Sequence, residues 1–320
     1  MRLQGLRVAV TGGAGNVGSH LVDACLREGA REVLAIDALV RGSPSNLRDA
    51  LATGRARLVE LDVRDAAAVR EALAGVDVLF HQAALRWTRC QEAPRECQEV
   101  MVDGTFNVAE AAVAAKARRF VLASSAVVYG EPKHLPLDED HPLDGTTVYA
   151  AAKIANEHLL RSLHALRGLR FAALRYFNVY GPRMDIRSPY VEVMVRWLDL
   201  IDQGEPLTLF GEGLQSADFV YVADVVEANL RALDAAEPDA IVNVCSGVET
   251  RMRDLAALLL ELTGSDVGVS FAPAPKDALS ARRYGDPGRA ERVLGFRART
   301  SLREGVAHLI RWRAAQLARA

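Results

Sequence analysis

The length and composition of the chain set the first limits on what it can be. It has 320 residues, of which 50% are hydrophobic and 25% are charged, and this length suits one large α/β unit or two closely joined domains. The formal net charge of −2 excludes the strongly basic surface that nucleic acids and anionic membranes attract. No apolar run is long enough to span a membrane, and the opening MRLQGLRVAV is unlike a signal peptide. We therefore expect a cytoplasmic protein.

The cysteines, Cys25, Cys90, Cys97 and Cys245, include no CxxC pair. Isolated cysteines in a cytoplasmic protein are expected to be reduced thiols. No set of His, Cys, Asp or Glu has the spacing of metal ligands, so the sequence predicts no metal site.

The first half of the chain alternates short apolar runs with amphipathic stretches, which predicts strands that alternate with helices. Such alternation with short connections favours a parallel sheet covered by helices on both faces. The predicted strands are 6–11, 32–37, 56–62, 76–84, 119–125 and 169–176, and the predicted helices are 16–29, 66–75, 94–117 and 149–166.

The alternation breaks after Gly181-Pro182 and gives way to a mixed region. A strand and a helix are predicted in 218–236, a strand in 241–247, and helices in 252–263 and 301–317. We therefore divide the chain into a core domain, residues 1–181 plus 218–248, and a smaller, mixed α/β C-terminal lobe, residues 182–217 plus 249–320.

The first predicted strand runs into TGGAGNVGSH (11–20), where Gly12, Gly15 and Gly18 have GxxGxxG spacing. Glycines at this spacing allow a sharp turn, close approach of the backbone to a pyrophosphate, and tight packing of helix on strand. The helix that follows offers free N–H groups and its positive dipole end to phosphates. Strand, motif and helix in this order predict a dinucleotide site in a Rossmann-type doubly wound sheet.

Two acidic residues at strand ends bear on the choice of dinucleotide. Asp37 closes the second strand, where a carboxylate accepts hydrogen bonds from ribose hydroxyls and repels a 2′-phosphate. The sequence therefore favours NAD over NADP, although Arg41 lies nearby and could soften that preference. Asp62 ends the third strand and is predicted to face the adenine, with an N-cap of the next helix as the alternative.

Tyr149 and Lys153 are one helical turn apart and therefore share a helix face. An ammonium beside a phenol stabilises the phenolate, which lowers the tyrosine pKa and lets the tyrosine take a proton from a hydroxyl. Ser124 and Ser125 end the fifth predicted strand, on the side of a doubly wound sheet where ligands bind. A turn or N-cap role is the alternative for these serines.

Taken together, these segments resemble the extended short-chain dehydrogenase/reductase family, in its branch of NAD-dependent nucleotide-sugar epimerases and dehydratases such as UDP-glucose 4-epimerase. The resemblance is carried by TGGAGNVGSH (11–20), HQAA (81–84), SSAVVYG (124–130), YAAAK (149–153), LRYFNVYGPR (174–183) and DFVYVADV (218–225). It implies NAD as cofactor, a nucleotide sugar as substrate, and Ser125, Tyr149 and Lys153 as the catalytic residues.

The residue patterns and the resemblance also suggest binding residues and an assembly. For NAD we expect Gly12, Gly15, Asn16, Val17, Gly18, Asp37, Asp62, Val63, Ala83, Ala84, Asn107, Ser124, Tyr149, Lys153 and Tyr176. For the substrate we expect Arg86, Ser125, Tyr149, Asn178, Arg183, Lys276 and Arg283, with solvent exposure as the alternative for Arg86 and Arg183. Many family members dimerise through two helices per subunit, here 94–117 and 149–166, so we expect a homodimer with a four-helix bundle.

One departure from the family concerns the diphosphate. Related enzymes carry Arg before Asp in Q-x-R-D-F, whereas this chain has Ala217 before Asp218. Lys276, Arg282 or Arg283 is the expected replacement, and solvated loop charges are the alternative.

A second departure distinguishes the possible reactions. Related dehydratases and decarboxylases place acidic residues directly after the catalytic Ser/Thr, because elimination needs a further acid and base. The chain has Ala126 and Val127 there, and neither side chain can transfer a proton. This favours 4-epimerisation over dehydration or decarboxylation, with a 4,6-dehydratase, a 4-ketoreductase and a non-catalytic NAD-binding sensor as alternatives.

His81 ends a predicted buried strand beside the cofactor loop. A hydrogen-bonded core histidine is the favoured interpretation over a catalytic one.

Overall fold

The computed structural model describes residues 2–186, 192–273 and 282–318. Its strands are β1 (Arg7–Thr11), β2 (Glu32–Asp37), β3 (Ala56–Glu60), β4 (Val78–His81), β5 (Arg119–Ser125), β6 (Phe171–Tyr176), β7 (Asn178–Tyr180), β8 (Leu207–Phe210), β9 (Ser216–Ala217), β10 (Phe219–Tyr221), β11 (Asp239–Val244), β12 (Thr250–Arg251) and β13 (Val269–Ala272). Its α-helices are α1 (Asn16–Arg27), α2 (Arg48–Ala52), α3 (Ala66–Ala72), α4 (Trp87–Glu92), α5 (Pro94–Gln98), α6 (Gly104–Ala114), α7 (Val148–Arg167), α8 (Val193–Gln203), α9 (Val222–Arg231), α10 (Met252–Thr263), α11 (Gly288–Leu294) and α12 (Leu302–Leu317). None of these helices is long and apolar enough to cross a membrane.

The central sheet has seven parallel strands in the order β11-β6-β5-β4-β1-β2-β3. The chain first winds outwards from β1 to β3 and then returns to β4 on the other side of β1. This reversal opens a crevice at the carboxyl ends of β1 and β4, which is where ligands bind in such sheets. The predicted doubly wound Rossmann fold is confirmed.

Both faces of the sheet are buried, because the side chains of each strand alternate between two apolar layers. In β1, Val8 and Val10 join the layer beneath α1 and α9, whereas Ala9 joins the layer beneath α3, α6 and α7. The apolar β2 divides in the same way, with Leu34 and Ile36 in the second layer.

The elements after Tyr180 enclose a further apolar cluster. It is built mainly from helices α8, α10 and α12, with Trp197, Leu255 and Leu309 all less than 4% exposed. The parallel pair β8–β13 lies against these helices. This cluster is separate from the two layers of the central sheet.

Helix α7 is the longest helix of the described residues, and a capping residue defines each of its ends. The Thr147 side chain accepts the Ala150 N–H at its start, and Gly168 in the left-handed region ends it. The cap places Tyr149 in the first helical turn, facing the carboxyl edge of the sheet.

The predicted helix 94–117 is observed from Pro94 to Ala114, three residues shorter at its end and with a π-helical turn inside it. It consists of α5, a π-helical turn at Glu99–Asp103 and α6, and the short α4 precedes it. Pro94 has no N–H and forces Ala93 out of the helical region, which separates α4 from α5.

The prediction that all cysteines are reduced is wrong, since Cys90 and Cys97 form a disulfide. Seven residues along one helix would separate their Cα atoms by about 10 Å. The break at Pro94 turns α5 back towards α4 and brings the two Cα atoms to 4.9 Å. Cys25 and Cys245 are free and buried.

The turn between β1 and α1 predicts different effects for two glycines. A Cβ at Gly18 would overlap the carbonyl oxygen of Gly12, whereas a Cβ at Gly15 would stand 3.2 Å from the same atom with no other neighbour. Gly18→Ala should therefore lower the free energy of unfolding by roughly 2–4 kcal/mol, and Gly15→Ala should change it much less. Urea unfolding of both variants measures this, and equal losses would contradict the geometry of the turn.

Candidate active site

The glycine turn forms a cradle at the carboxyl end of β1. Gly12 has φ +65°, and a Cβ there would meet the Ala83 amide at 2.8 Å. Gly15 is the N-cap of α1, and no side chain caps the N–H groups of the first turn, which includes Val17. Free N–H groups at a helix N-terminus beside a surface without side chains fit a pyrophosphate.

Asp37 lies at the end of β2 beside this cradle. Its carboxylate accepts the Ala14 N–H and the Leu39 N–H, both at 2.9 Å. The charge therefore lies over the glycine turn, where a ribose would approach and where a 2′-phosphate would be repelled. Arg41 makes an ion pair with Asp185 and is thereby occupied.

The loop after β4 forms the opposite wall of the cradle. The Ala83 N–H donates to Thr11 Oγ1 at 3.3 Å, and Ala84 is exposed. His81 beneath this loop is hydrogen-bonded to Thr11 and Thr105, and burial lowers its pKa to about 3. The interpretation of His81 as a hydrogen-bonded core histidine is confirmed.

Most of the other polar residues expected around NAD make hydrogen bonds to neighbouring segments of the protein. Asn107 donates to the backbone carbonyls of Val63 and Arg64, and the Asn16 amide donates to Pro182 O. The Tyr176 hydroxyl lies 3.2 Å from the Gln82 amide oxygen. Asp62 pairs with Arg64, which lowers the Asp62 pKa. The alternative of Asp62 as an N-cap is wrong, because the Asp65 side chain caps α3.

The three predicted catalytic residues come together where β5 meets α7. The Ser125 hydroxyl at the end of β5 lies beside the Tyr149 phenol in the first turn of α7 and acts to lower its pKa. Lys153 is 3% exposed, and its Nζ donates to Ala123 O at 2.5 Å and lies 5.6 Å from the centroid of the Tyr149 ring. This arrangement presents a phenol, a hydroxyl and an ammonium to one small volume.

The ionisation of the phenol differs from the prediction. Burial raises the pKa of Tyr149 to about 12, while the Ser125 hydrogen bond opposes the rise. Burial also lowers the pKa of Lys153 to about 8. The predicted lowering by Lys153 is wrong for this conformation, because the ammonium is engaged with the Ala123 carbonyl and desolvation of the phenol dominates.

The positions directly after Ser125 carry no acid. Ala126 is buried and Val127 is half-buried in a short 3₁₀ turn. One further carboxylate was not expected: Glu192, at the N-cap of α8, raises the Tyr149 pKa through its charge. Glu192 is paired with Arg86, so the site contains a carboxylate bound by a guanidinium rather than a free acid. Its position beyond an aperiodic segment left no signal in the sequence.

Two other residues expected to bind substrate have partners in the structure. The Asn178 amide donates to Asp218 O, and the residue is exposed at the start of β7. Arg183 does not lie in open solvent, because it pairs with Asp23 of α1 and is 19% exposed. It has φ +65°, and its buried Nη1 has no hydrogen-bond partner.

The basic residues expected to replace the missing arginine separate into different roles. Arg282 is 58% exposed and pairs with Glu249. Arg283 donates to the carbonyls of Ala126 and Gly130, which frame the turn after Ser125. Lys276 lies outside the described residues.

Comparisons with known proteins agree with this geometry. The model of the NAD dependent epimerase/dehydratase family matches residues 8–245. A UDP-glucose 4-epimerase of Mycolicibacterium smegmatis is 35% identical over 315 residues, covering 95% of this chain and 97% of the relative. A UDP-N-acetyl-alpha-D-glucosaminuronate decarboxylase of Bacillus cytotoxicus is 31% identical over 318 residues, covering 96% and 97%.

A solved structure extends the likeness over nearly the whole chain. It is the UDP-N-acetylglucosamine 4-epimerase of Methanobrevibacter ruminantium M1 in complex with UDP-N-acetylmuramic acid, with a TM-score of 0.91 and 30% identity, covering 98% of this chain and 99% of that chain. The shared fold includes the glycine cradle, Asp37 and the set of Ser125, Tyr149 and Lys153. The chain belongs to the NAD-dependent epimerase/dehydratase family.

Proposed function

We propose that the chain is an NAD-dependent 4-epimerase of a nucleotide-activated sugar, with UDP-hexose, UDP-hexuronate and UDP-N-acetylhexosamine as the candidate substrates. The observation that carries the proposal is the complete set Ser125, Tyr149 and Lys153 beside two positions, Ala126 and Val127, that carry no acid. Proton transfer to and from one hydroxyl is therefore available, and a second acid–base pair for elimination is not provided by this turn.

The residues divide the work as follows. Tyr149 takes the proton from the sugar 4-hydroxyl and later returns it to the same oxygen, while Ser125 orients that oxygen through a hydrogen bond. Lys153 does not lower the Tyr149 pKa in the conformation described above, and its charge is proposed to stabilise the phenolate once NAD and the sugar are bound. The chemistry that NAD supplies when bound is reversible acceptance of hydride by a positively charged ring, and that charge also favours the phenolate.

Other residues of the crevice would hold the cofactor. The N–H groups of the first turn of α1, which follows the N-cap Gly15, would bind the pyrophosphate. Asp37 would bind the adenosine ribose. Inversion at C4 further requires that the oxidised sugar turns over in the pocket between the two proton transfers. Arg86, Asn178 and Arg183 are proposed to border that pocket.

The competing reactions have less support. The 31% identity to a decarboxylase keeps decarboxylation and dehydration as alternatives, but Glu192 is bound by Arg86 and the turn after Ser125 offers no other acid. A net reductase would consume reduced cofactor in each turnover. A non-catalytic sensor would have no use for the three catalytic side chains in contact.

The predicted domain division and the cytoplasmic location remain predictions. For the division, the separate apolar cluster of α8, α10 and α12 supports a second lobe, and β11 lies in the central sheet as the division requires. The Cys90–Cys97 disulfide is unusual for a cytoplasmic protein.

We also propose that the chain forms a homodimer through a four-helix bundle of the α6 and α7 helices. Each helix exposes a large apolar side chain: Phe106 is 36% exposed and Leu166 is 76% exposed. A two-fold contact would bury both.

The reaction is tested by offering UDP-glucose, UDP-N-acetylglucosamine and UDP-glucuronate and following the products by NMR. We expect the C4 epimer of at least one, with no net NADH, no CO₂ and no loss of water. Tyr149→Phe should lower kcat by about 10²–10⁴-fold without changing the thermal midpoint, whereas Tyr180→Phe, a tyrosine in the C-terminal cluster, should retain the rate. Accumulation of a 4-keto-6-deoxy sugar or a pentose would overturn the proposal.

The assembly is tested by sedimentation velocity. The wild-type chain should sediment as a dimer, and Phe106→Glu should shift it to the monomer because a carboxylate would be buried in the contact. Phe271→Glu makes the same change at a 64% exposed position on β13 and should leave the dimer intact. A monomeric wild-type chain at micromolar concentration would refute the bundle.

A further inference from the structure

A buried ion pair lies directly behind the catalytic residues. Glu157 is 0% exposed and Arg175 is 2% exposed, and the guanidinium binds the carboxylate through Nε at 3.0 Å and Nη2 at 2.7 Å. Removing two charges from water is costly, and such a pair often contributes little to net stability compared with apolar side chains of the same size. Its presence therefore calls for a role other than holding the core together.

The carboxylate side of the pair is attached to the strand that carries the catalytic serine. Ser124 Oγ donates to Glu157 Oε1 at 2.5 Å, and Ser125 is the next residue along the strand. Three consecutive residues of β5 thus contact three residues of α7 that are spaced at intervals of four. The pairs are Ala123 with Lys153, Ser124 with Glu157, and Ser125 with Tyr149.

The guanidinium side of the pair is attached to the turn after the serine. Arg175 Nη1 donates to the Tyr129 hydroxyl at 3.0 Å, and that hydroxyl donates to Asn243 Oδ1 on β11. Tyr129 closes the 3₁₀ turn that begins after Ser125. One buried cation therefore fixes both sides of Ser125, through Glu157 and Ser124 on one side and through Tyr129 on the other.

We infer that Glu157 and Arg175 are positioning residues for the reaction: the pair sets the register of helix α7 against strand β5 and so holds the Tyr149 phenol and the Lys153 ammonium at Ser125. The inference rests on the proposed function only for its kinetic consequence. The charge of Glu157 also supports the ammonium, since it raises the pKa of Lys153 against the opposing effect of burial.

Two variants separate positioning from stability. Glu157→Gln keeps the shape but leaves Arg175 as an uncompensated buried charge, so both the thermal midpoint and kcat should fall. Glu157→Gln combined with Arg175→Met removes both charges, which should restore much of the thermal midpoint. Because the double variant still lacks the bidentate contact, kcat should stay at least about tenfold below wild type while KM and the NAD dissociation constant change less than about threefold.

A matched control is available in the C-terminal lobe. Arg313 is 7% exposed and pairs with Asp199 and Asp202, far from the catalytic residues in the chain and in a different apolar cluster. Its partners are 35% and 53% exposed, so Arg313→Met should lower the thermal midpoint less than Glu157→Gln does, with kcat unchanged at a temperature where the variant is folded.

Hydrogen exchange gives a readout that does not depend on turnover. In the double variant, the amides of the first turns of α7, residues 150–157, should exchange at least about tenfold faster than in wild type, whereas Arg313→Met should leave them unchanged. Recovery of kcat together with the thermal midpoint, or unchanged exchange in these turns, would overturn the positioning role. If the wild-type chain turns over no nucleotide sugar, but the double variant still exchanges faster than wild type in these turns, the proposed function alone is refuted.

Discussion

The structure depends most on the contact between strand β5 and helix α7. Three consecutive strand residues contact the helix. The Ala123 carbonyl accepts from Lys153, the Ser124 hydroxyl donates to Glu157, and the Ser125 hydroxyl lies beside Tyr149. The strand is held rigidly between β4 and β6 in the parallel sheet, so the helix inherits its position from the sheet. A phenol in the first turn of a helix would otherwise have considerable freedom, and the site would have no fixed geometry for proton transfer.

The cofactor side of the crevice rests on a different constraint, namely close approach of backbone to backbone. Gly12 and Gly18 lie where a Cβ would collide with neighbouring backbone atoms, and Gly15 leaves the start of α1 uncovered. The two constraints meet at the carboxyl ends of β1, β4 and β5. A cofactor held by the first and a sugar hydroxyl held by the second would therefore share one crevice, as the topology of a doubly wound sheet predicts.

Much of this was predictable from the sequence, and the failures have physical causes. The strand 32–37 and the helix 252–263 were predicted with the observed bounds, because both have strong periodicity and clear ends. The helix 94–117 was predicted with the correct start, where Pro94 takes the first helical position, but its π-helical turn and its earlier end at Ala114 left no signal in the periodicity. Arg283 could be placed in a binding loop, but its contacts with two backbone carbonyls depend on tertiary packing. The same holds for Arg183, whose partner Asp23 lies on the first helix.

The most direct measurement of the central claim is the fate of deuterium placed at C4 of a nucleotide sugar that the chain converts. If Tyr149 removes only the hydroxyl proton and the C4 hydrogen leaves and returns as hydride, the label stays at C4 in both epimers in ordinary water, and turnover shows a primary isotope effect when the hydride step limits the rate. Loss of the label to solvent would mean that a base removes the C4 hydrogen as a proton, and would contradict the account.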